Sequence, residues 1–334
     1  MGKILEVNRL GVSLKTKKST LNIVKDISFY IDEKETLVTV GESGCGKTMM
    51  ARSIMGLLPQ GIGRFTEDAE ILFESQNIVQ WTEGQLQGLR GDKIAMIFQD
   101  PMTYLNPTMT IEKQIGEVIQ IHEKIDKQSL KKRIESLLKK VQISEAQMRM
   151  KQYPHELSGG MRQRVMIAMA LACEPQILIA DEPTTALDVT TQAEIIELID
   201  ALKEEVHMAV LLITHDLGLA LEAGDRIQVM YGGKIVETGL KSEIFEGSQH
   251  PYTIGLMKSV PELSSKRKSK LYTIEGQPPS FEEEISGCVF AERCPACMKI
   301  CKKIEPETFK LSANHYVSCW RLHPKFKERR AEHV

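Results

Sequence analysis

"ETLVTVGESGCGKTMMARSIMGLL", residues 35–58, passes from a run of apolar and β-branched residues, through a glycine-rich turn, into a segment with apolar positions at helical spacing. The first part predicts a buried strand and the last an amphipathic helix. Between them "GESGCGKT", Gly41 to Thr48, satisfies G-x-x-x-x-G-K-[ST] in the strand–loop–helix setting that gives this pattern its meaning. Gly41, Gly44 and Gly46 let the backbone wrap closely round a phosphate, and the amides of Glu42, Ser43, Cys45 and the helix start point donors at its oxygens. Lys47 supplies a cation for β/γ-phosphates and Thr48 a hydroxyl for Mg²⁺, with Met49 completing the first turn. A plain glycine turn with an exposed lysine would not need this order.

The same architecture extends on both sides. "ILEVNRLGVSL" (4–14) and "LNIVKDISFYI" (21–31) read as strands of an antiparallel edge sheet. From Ile111 to Met150 the chain turns helical and charged, as in "SLKKRIESLLKKV" (129–141), and reads as part of an inserted helical subdomain at about 105–172. "QILIADEP" (176–183) and "MAVLLITHD" (208–216) are short buried strands alternating with the helical "TQAEIIELIDALKEE" (191–205). Helix and apolar strand in alternation predict a largely parallel sheet and an α/β fold.

Two strand ends carry further chemistry. "ILIADE" closes on Asp181 and Glu182. One carboxylate can hold magnesium and its waters and the next can orient an attacking water, with helix capping by the pair as the plainer alternative. His215 follows "LLIT" and can meet a γ-phosphate or serve as a structural histidine.

The 334 residues carry 43 basic and 45 acidic side chains, a formal charge of −2, so no global field favours nucleic acid, and no nucleic-acid partner is expected. The start lacks the apolar region of a secretory signal and no stretch reaches a membrane-spanning length, so the chain is not expected to cross a membrane by itself. After a boundary near Gly247, "PELSSKRKSK" (261–270) reads as a basic hinge and residues 248–334 as a separate extension.

That extension holds five of the seven cysteines, four of them in "CVFAERCPACMKIC" (288–301). In a reducing compartment such a cluster favours metal over disulfides. By spacing, Cys288, Cys294, Cys297, Cys301 and Cys319 suit zinc or an iron–sulfur cluster, with free thiols or a disulfide as alternatives. His315 reads as a local hydrogen-bonding residue.

The ordered set of "GESGCGKT", "IFQDP" (97–101), "LSGGM" (157–161), "ILIADE", "ALD" (186–188) and His215 resembles the ATPase subunits of ABC transporters, over about residues 4–245. The resemblance implies an ABC-type P-loop core in residues 1–247 that binds ATP and Mg²⁺ and works as a head-to-tail dimer. Ser158, Gly159 and Gly160 of one copy would then reach the γ-phosphate held by Lys47 of the other, and Asp188 would organise the dimer contact. It further implies that Gln99 senses magnesium and nucleotide, that Glu182 acts as general base, and that His215 is the γ-phosphate switch. An aromatic residue often stacks on adenine in this family; Leu14 occupies the matching position here.

"YPHELSGGMRQRVMIAMALACEPQILIADEPTTALDVTTQAEI" (153–195) and "HPYTIGLMKSVP" (250–261) resemble the dipeptide and oligopeptide importer ATPases. The implied partners are a second, related ATPase in a heterodimer, two membrane permeases and an extracytoplasmic peptide-binding protein, with the chain peripheral on the cytoplasmic membrane face. Related systems import nickel complexes, glutathione or other solutes, and soluble ABC ATPases outside transport form a further alternative. For the extension the resemblance implies a [4Fe-4S] cluster on Cys288, Cys294, Cys301 and Cys319, in place of zinc, making it a small cysteine-rich metal-binding domain.

Overall fold

Strand Thr36–Val40 is buried at all five positions, Thr36 and Thr39 included, as a strand covered on both faces is. The computed structural model describes residues 2–185, 187–259 and 272–326. The hinge at 261–270, Ala186 of "ALD" and the basic end from 327 lie outside the described residues.

Two compact units divide the chain. One contains Met1–Ile4, Ile31–Thr36 and Gln80–Ile213; the other contains Leu5–Tyr30, Leu37–Val79 and Thr214–Val334. In the first, strands Ile94–Ile97, Ile177–Asp181 and Ala209–Thr214 run parallel, in the register Ile94↔Ile177 and Ile177↔Ala209. Helices Ile111–His122, Lys127–Lys140 and Gly159–Ala170 make up the helical region, and Ile111, Ile115, Ile119, Ile134 and Leu138 are fully buried in it. Their spacing by four residues puts them on one face of each of the first two helices, which is the origin of the helical pattern in the sequence.

In the second unit, strand Arg226–Tyr231 pairs in parallel with Leu37–Val40 and antiparallel with Lys234–Leu240. Strand Lys3–Lys15 pairs antiparallel with Gly63–Phe65 and Glu70–Phe73, which gives the expected edge sheet.

The C-terminal segment departs from expectation. A cysteine-rich metal-binding domain was anticipated, but among the described residues no group of three or more His, Cys, Asp or Glu is arranged to hold a metal ion. Its order has another source. Strand Tyr316–Ser318 adds to the edge of Lys234–Leu240 (Glu237↔Val317), and Thr308–Lys310 adds to Tyr316–Ser318 in turn. Phe290, 1% exposed, packs against Tyr231 (ring centroids 5.2 Å) and Tyr252 (5.3 Å). The Trp320 indole N–H donates to the Ile304 carbonyl at 2.9 Å. A segment too short to bury a core of its own thus shares the core of the unit it joins.

Candidate functional site

The phosphate loop begins where strand Thr36–Val40 ends and helix Lys47–Ile54 has not yet started. Gly41 has no room for a side chain: a Cβ there would lie 2.2 Å from the Met230 carbonyl oxygen. Gly46, the N-cap, takes φ 107°, a left-handed backbone that favours glycine. Lys47 is buried, with its Nζ donating to the carbonyls of Gly41 (2.7 Å) and Glu42 (3.0 Å). The lysine is therefore folded back across the mouth of its own loop. Ser43 and Gly44 are exposed, Thr48 and Met49 half-buried, and burial pushes the Cys45 thiol up, so it sits in the loop as a neutral group. Such a loop, with a buried ammonium and a helix start behind it, fits a phosphate chain.

Glu42 has partners outside the loop. Its backbone N–H donates to the Tyr252 hydroxyl at 3.0 Å, and its carboxylate accepts from the Arg293 guanidinium at 2.8 and 3.0 Å. Burial pushes the Tyr252 hydroxyl well above the usual phenol range, so it remains protonated.

In the other unit, Asp181 is buried at the end of Ile177–Asp181, paired with Ile213. The next residue, Glu182, leaves the strand with φ 47°, a left-handed conformation that costs a non-glycine residue about 1–3 kcal/mol. Its Oε2 accepts from Gln99 Nε2 and from Thr185 Oγ1, both at 3.0 Å. The strained turn and the two donors aim one carboxylate, and they bring Gln99, just past strand Ile94–Ile97, to Glu182.

Ser158 caps helix Gly159–Ala170, its hydroxyl accepting from the Met161 N–H at 3.3 Å, and both Ser158 and Gly159 are exposed. Gly160 lies close to Thr191, where a Cβ would come within 3.1 Å of Cγ2. Asp188 caps helix Val189–Val206 through the Thr191 N–H (3.0 Å) and hydroxyl (2.8 Å), bonds that hold its carboxyl below the usual range. His215 is exposed just beyond strand Ala209–Thr214. Leu14 is half-buried in the edge sheet opposite Gly63. The Tyr30 ring is covered by the Arg226 guanidinium, 3.9 Å from its centroid.

The expectation of a [4Fe-4S] cluster, or of zinc in its place, on Cys288, Cys294, Cys301 and Cys319 is corrected. No metal-holding group of side chains occurs among the described residues. All four are free cysteines, and Cys288, Cys301 and Cys319 are buried. Burial, ahead of the neighbouring sulfurs, pushes Cys288 up to about 12 and Cys294 up to about 11, which favours protonated thiols over thiolates. The Cys297 thiol lies against the Met298 carbonyl and beside Cys301.

Sequence reasoning missed Thr185, Tyr252 and Arg293. Tyr252 stands in "HPYTIG" and Arg293 in "AERCP", but neither stretch signals a contact with the phosphate loop.

The comparisons with known proteins agree with the loop. The ABC transporter family matches residues 24–185, and the oligopeptide/dipeptide transporter C-terminal region matches residues 236–301. The oligopeptide transport ATP-binding protein OppD of Bacillus subtilis is 49% identical over 322 residues, 96% of this chain and 90% of its own length. The dipeptide transport ATP-binding protein DppD of the same organism is 47% identical over 334 residues, 100% of this chain and 98% of its own. Among solved structures, a dimeric ATP-binding cassette in a post-hydrolysis state, bound to ADP and Pi, is 28% identical with a TM-score of 0.63, covering 71% of this chain and 98% of that one. With its phosphate loop in place and both ends of its sequence matched, the chain belongs to the ATP-binding subunits of the oligopeptide and dipeptide ABC transporters.

Proposed function

We propose that the chain hydrolyses MgATP to power the import of dipeptides or oligopeptides through partner permeases. The observation that carries this reading is the glycine-shaped phosphate loop with its buried Lys47, in a chain nearly half identical to peptide-transport ATPases along almost its whole length.

In this reading the amides of Gly41 to Met49 and the ammonium of Lys47 bind the phosphates of ATP, and Leu14 offers the base an apolar contact. The Thr48 hydroxyl, Asp181 and Gln99 are the groups to hold Mg²⁺, which when bound neutralises charge on the phosphate oxygens. Glu182 accepts a proton from water as the water oxygen bonds to the γ-phosphorus and the bond to the ADP oxygen breaks. Gln99 and Thr185 keep that carboxylate aimed, and His215 contacts the γ-phosphate. Ser158, Gly159 and Gly160 complete the site of a second ATPase, with Asp188 at the contact. A dimeric cassette among the solved relatives supports that arrangement.

Closing and reopening of the ATPase pair drives the permeases between two states, because ATP favours one state and its products the other. The partners are a homologous ATPase in a heterodimer, two permeases and an extracytoplasmic peptide-binding protein, with this chain peripheral on the cytoplasmic membrane face. Among the described residues no helix is long and apolar enough to cross a membrane. Residues 1–247 form the ATPase domain, with its helical subdomain at about 105–172, and residues 248–334 the extension.

Vesicles reconstituted with the permeases, the second ATPase and the binding protein test the reading. ATP inside should drive uptake of labelled di- or oligopeptides, and Lys47→Ala should stop it. Uptake that persists without this chain would overturn the reading.

A further inference from the structure

Arg293 makes more polar contacts than a surface arginine needs. Its Nη1 donates to Glu42 Oε2 (2.8 Å), Glu42 Oε1 (3.0 Å) and the Tyr231 hydroxyl (3.1 Å). Its Nε donates to the Glu275 carbonyl (2.9 Å) and its Nη2 to the Ile274 carbonyl (3.1 Å). The arginine side chain is 7% exposed and that of Glu42 25%, so the pair is largely removed from water. Gly276 leaves the room this requires, since a Cβ there would lie 3.2 Å from Arg293 Cγ.

Glu42 is an awkward residue for a loop that receives polyphosphate. Its own carbonyl accepts from Lys47 Nζ at 3.0 Å, so its carboxylate stands only one residue's reach from the phosphate-binding ammonium. An uncompensated negative charge there repels the phosphates and competes for Lys47. Arg293 removes that charge, and with the Tyr252 hydroxyl on the Glu42 N–H it fixes both ends of the residue whose carbonyl holds Lys47.

We propose that Arg293 of the C-terminal segment is a positioning residue for ATP binding, which neutralises Glu42 and holds the phosphate loop in its receptive shape. The inference rests on the ATP-binding reading of that loop. The C-terminal segment is then part of the nucleotide site and more than an appendage to it, and movements of the segment bear directly on ATP affinity.

Removing one charge at a time gives the test its sign. Equilibrium binding of a fluorescent ATP analogue with Mg²⁺ is measured on the full chain for wild type, Arg293→Gln, Glu42→Gln and the double variant, with thermal melting of each. Arg293→Gln leaves Glu42 unopposed and should weaken binding about fivefold, a typical size for a partly buried charge near a charged ligand. Glu42→Gln should tighten it by about twofold at low salt, and the double variant should return close to wild type. A contact that merely supports packing would instead lower the melting temperature with affinity unchanged, or weaken binding in both single variants and further in the double. Either result overturns the proposal. If Arg293→Gln does not melt cooperatively, Glu42→Gln alone decides: tighter binding supports the proposal, and unchanged or weaker binding overturns it. Failure of the wild-type chain to bind the analogue is a separate outcome, which strikes the ATP-binding reading itself.

Discussion

The loop Gly41–Thr48 and the segment 287–326 belong to the same unit, and both are short turn-rich stretches with little core of their own, yet opposite means hold them. Backbone geometry shapes the loop: Gly41 lies against the Met230 carbonyl, and Gly46 has a left-handed φ. Few other residues can stand at these positions. Side chains resting on a surface supplied by others hold the segment: Phe290 on Tyr231 and Tyr252, Val317 opposite Glu237, Arg293 on Glu42. A geometry that only certain residues allow leaves a signature in the sequence. Packing on a shared surface leaves almost none.

The largest effect that would sharpen this comparison is on function alone. Lys47→Ala should weaken MgATP binding on the order of 100-fold, since it removes a charge-assisted contact to the phosphates, while the melting temperature stays near wild type. Equilibrium nucleotide binding and calorimetry read the two arms, and a large fall in melting temperature with binding intact would break the contrast.

Phe290→Ala should do the reverse. It empties a buried ring site and removes three aromatic contacts, which costs about 3–5 kcal/mol by urea unfolding. A cost below about 1 kcal/mol would mean that the shared core does not hold the segment.

A comparable effect depends on pH. His250 is fully buried and burial lowers its pKa to about 4; its backbone N–H donates to Glu237 and its ring Nδ1 accepts from the Tyr252 backbone N–H at 3.1 Å, which requires an unprotonated Nδ1. The unfolded chain takes up a proton near the ordinary value while the folded chain does not. Stability is therefore unaffected above about pH 6.5, falls between pH 6.5 and 4 by roughly 3 kcal/mol, and levels off below, as far as this residue is concerned. Urea unfolding at pH 7 and pH 4.5 should show the fall, and His250→Asn should flatten it; equal slopes in both proteins would remove His250 from the account.

The smallest expected effect is at Ser158. Loss of its cap on helix Gly159–Ala170 should cost about 1 kcal/mol, and Ser158→Gly should restore most of it, whereas turnover by the assembled ATPase should remain impaired in both. Turnover that recovers in step with stability would reduce Ser158 to a helix cap.

These contrasts explain what was readable in advance. The α/β core, the edge sheet and the phosphate loop follow from apolar runs, alternation and glycine placement, all of which are local. Glu182 was legible as a carboxylate leaving a strand, but its left-handed backbone and its bond from Thr185 depend on the turn that follows. Arg293 was not legible at all: 251 positions separate it from Glu42, and its immediate neighbours are cysteines that attract a different reading. Those cysteines show how spacing misleads. Thiols that recur closely in a turn-rich segment suit metal ligation, but buried small apolar side chains produce the same pattern, and only the surroundings distinguish the two.

The central claim is that this chain binds ATP through the phosphate loop and cleaves it with Glu182 as base. Single-turnover hydrolysis and equilibrium MgATP binding, measured side by side on the assembled transporter with wild-type and Glu182→Gln chains, test it most directly. The account predicts unchanged binding and a fall in cleavage of at least about 100-fold at the sites that contain the substituted residue. Cleavage at the wild-type rate in Glu182→Gln, with binding intact, would contradict it.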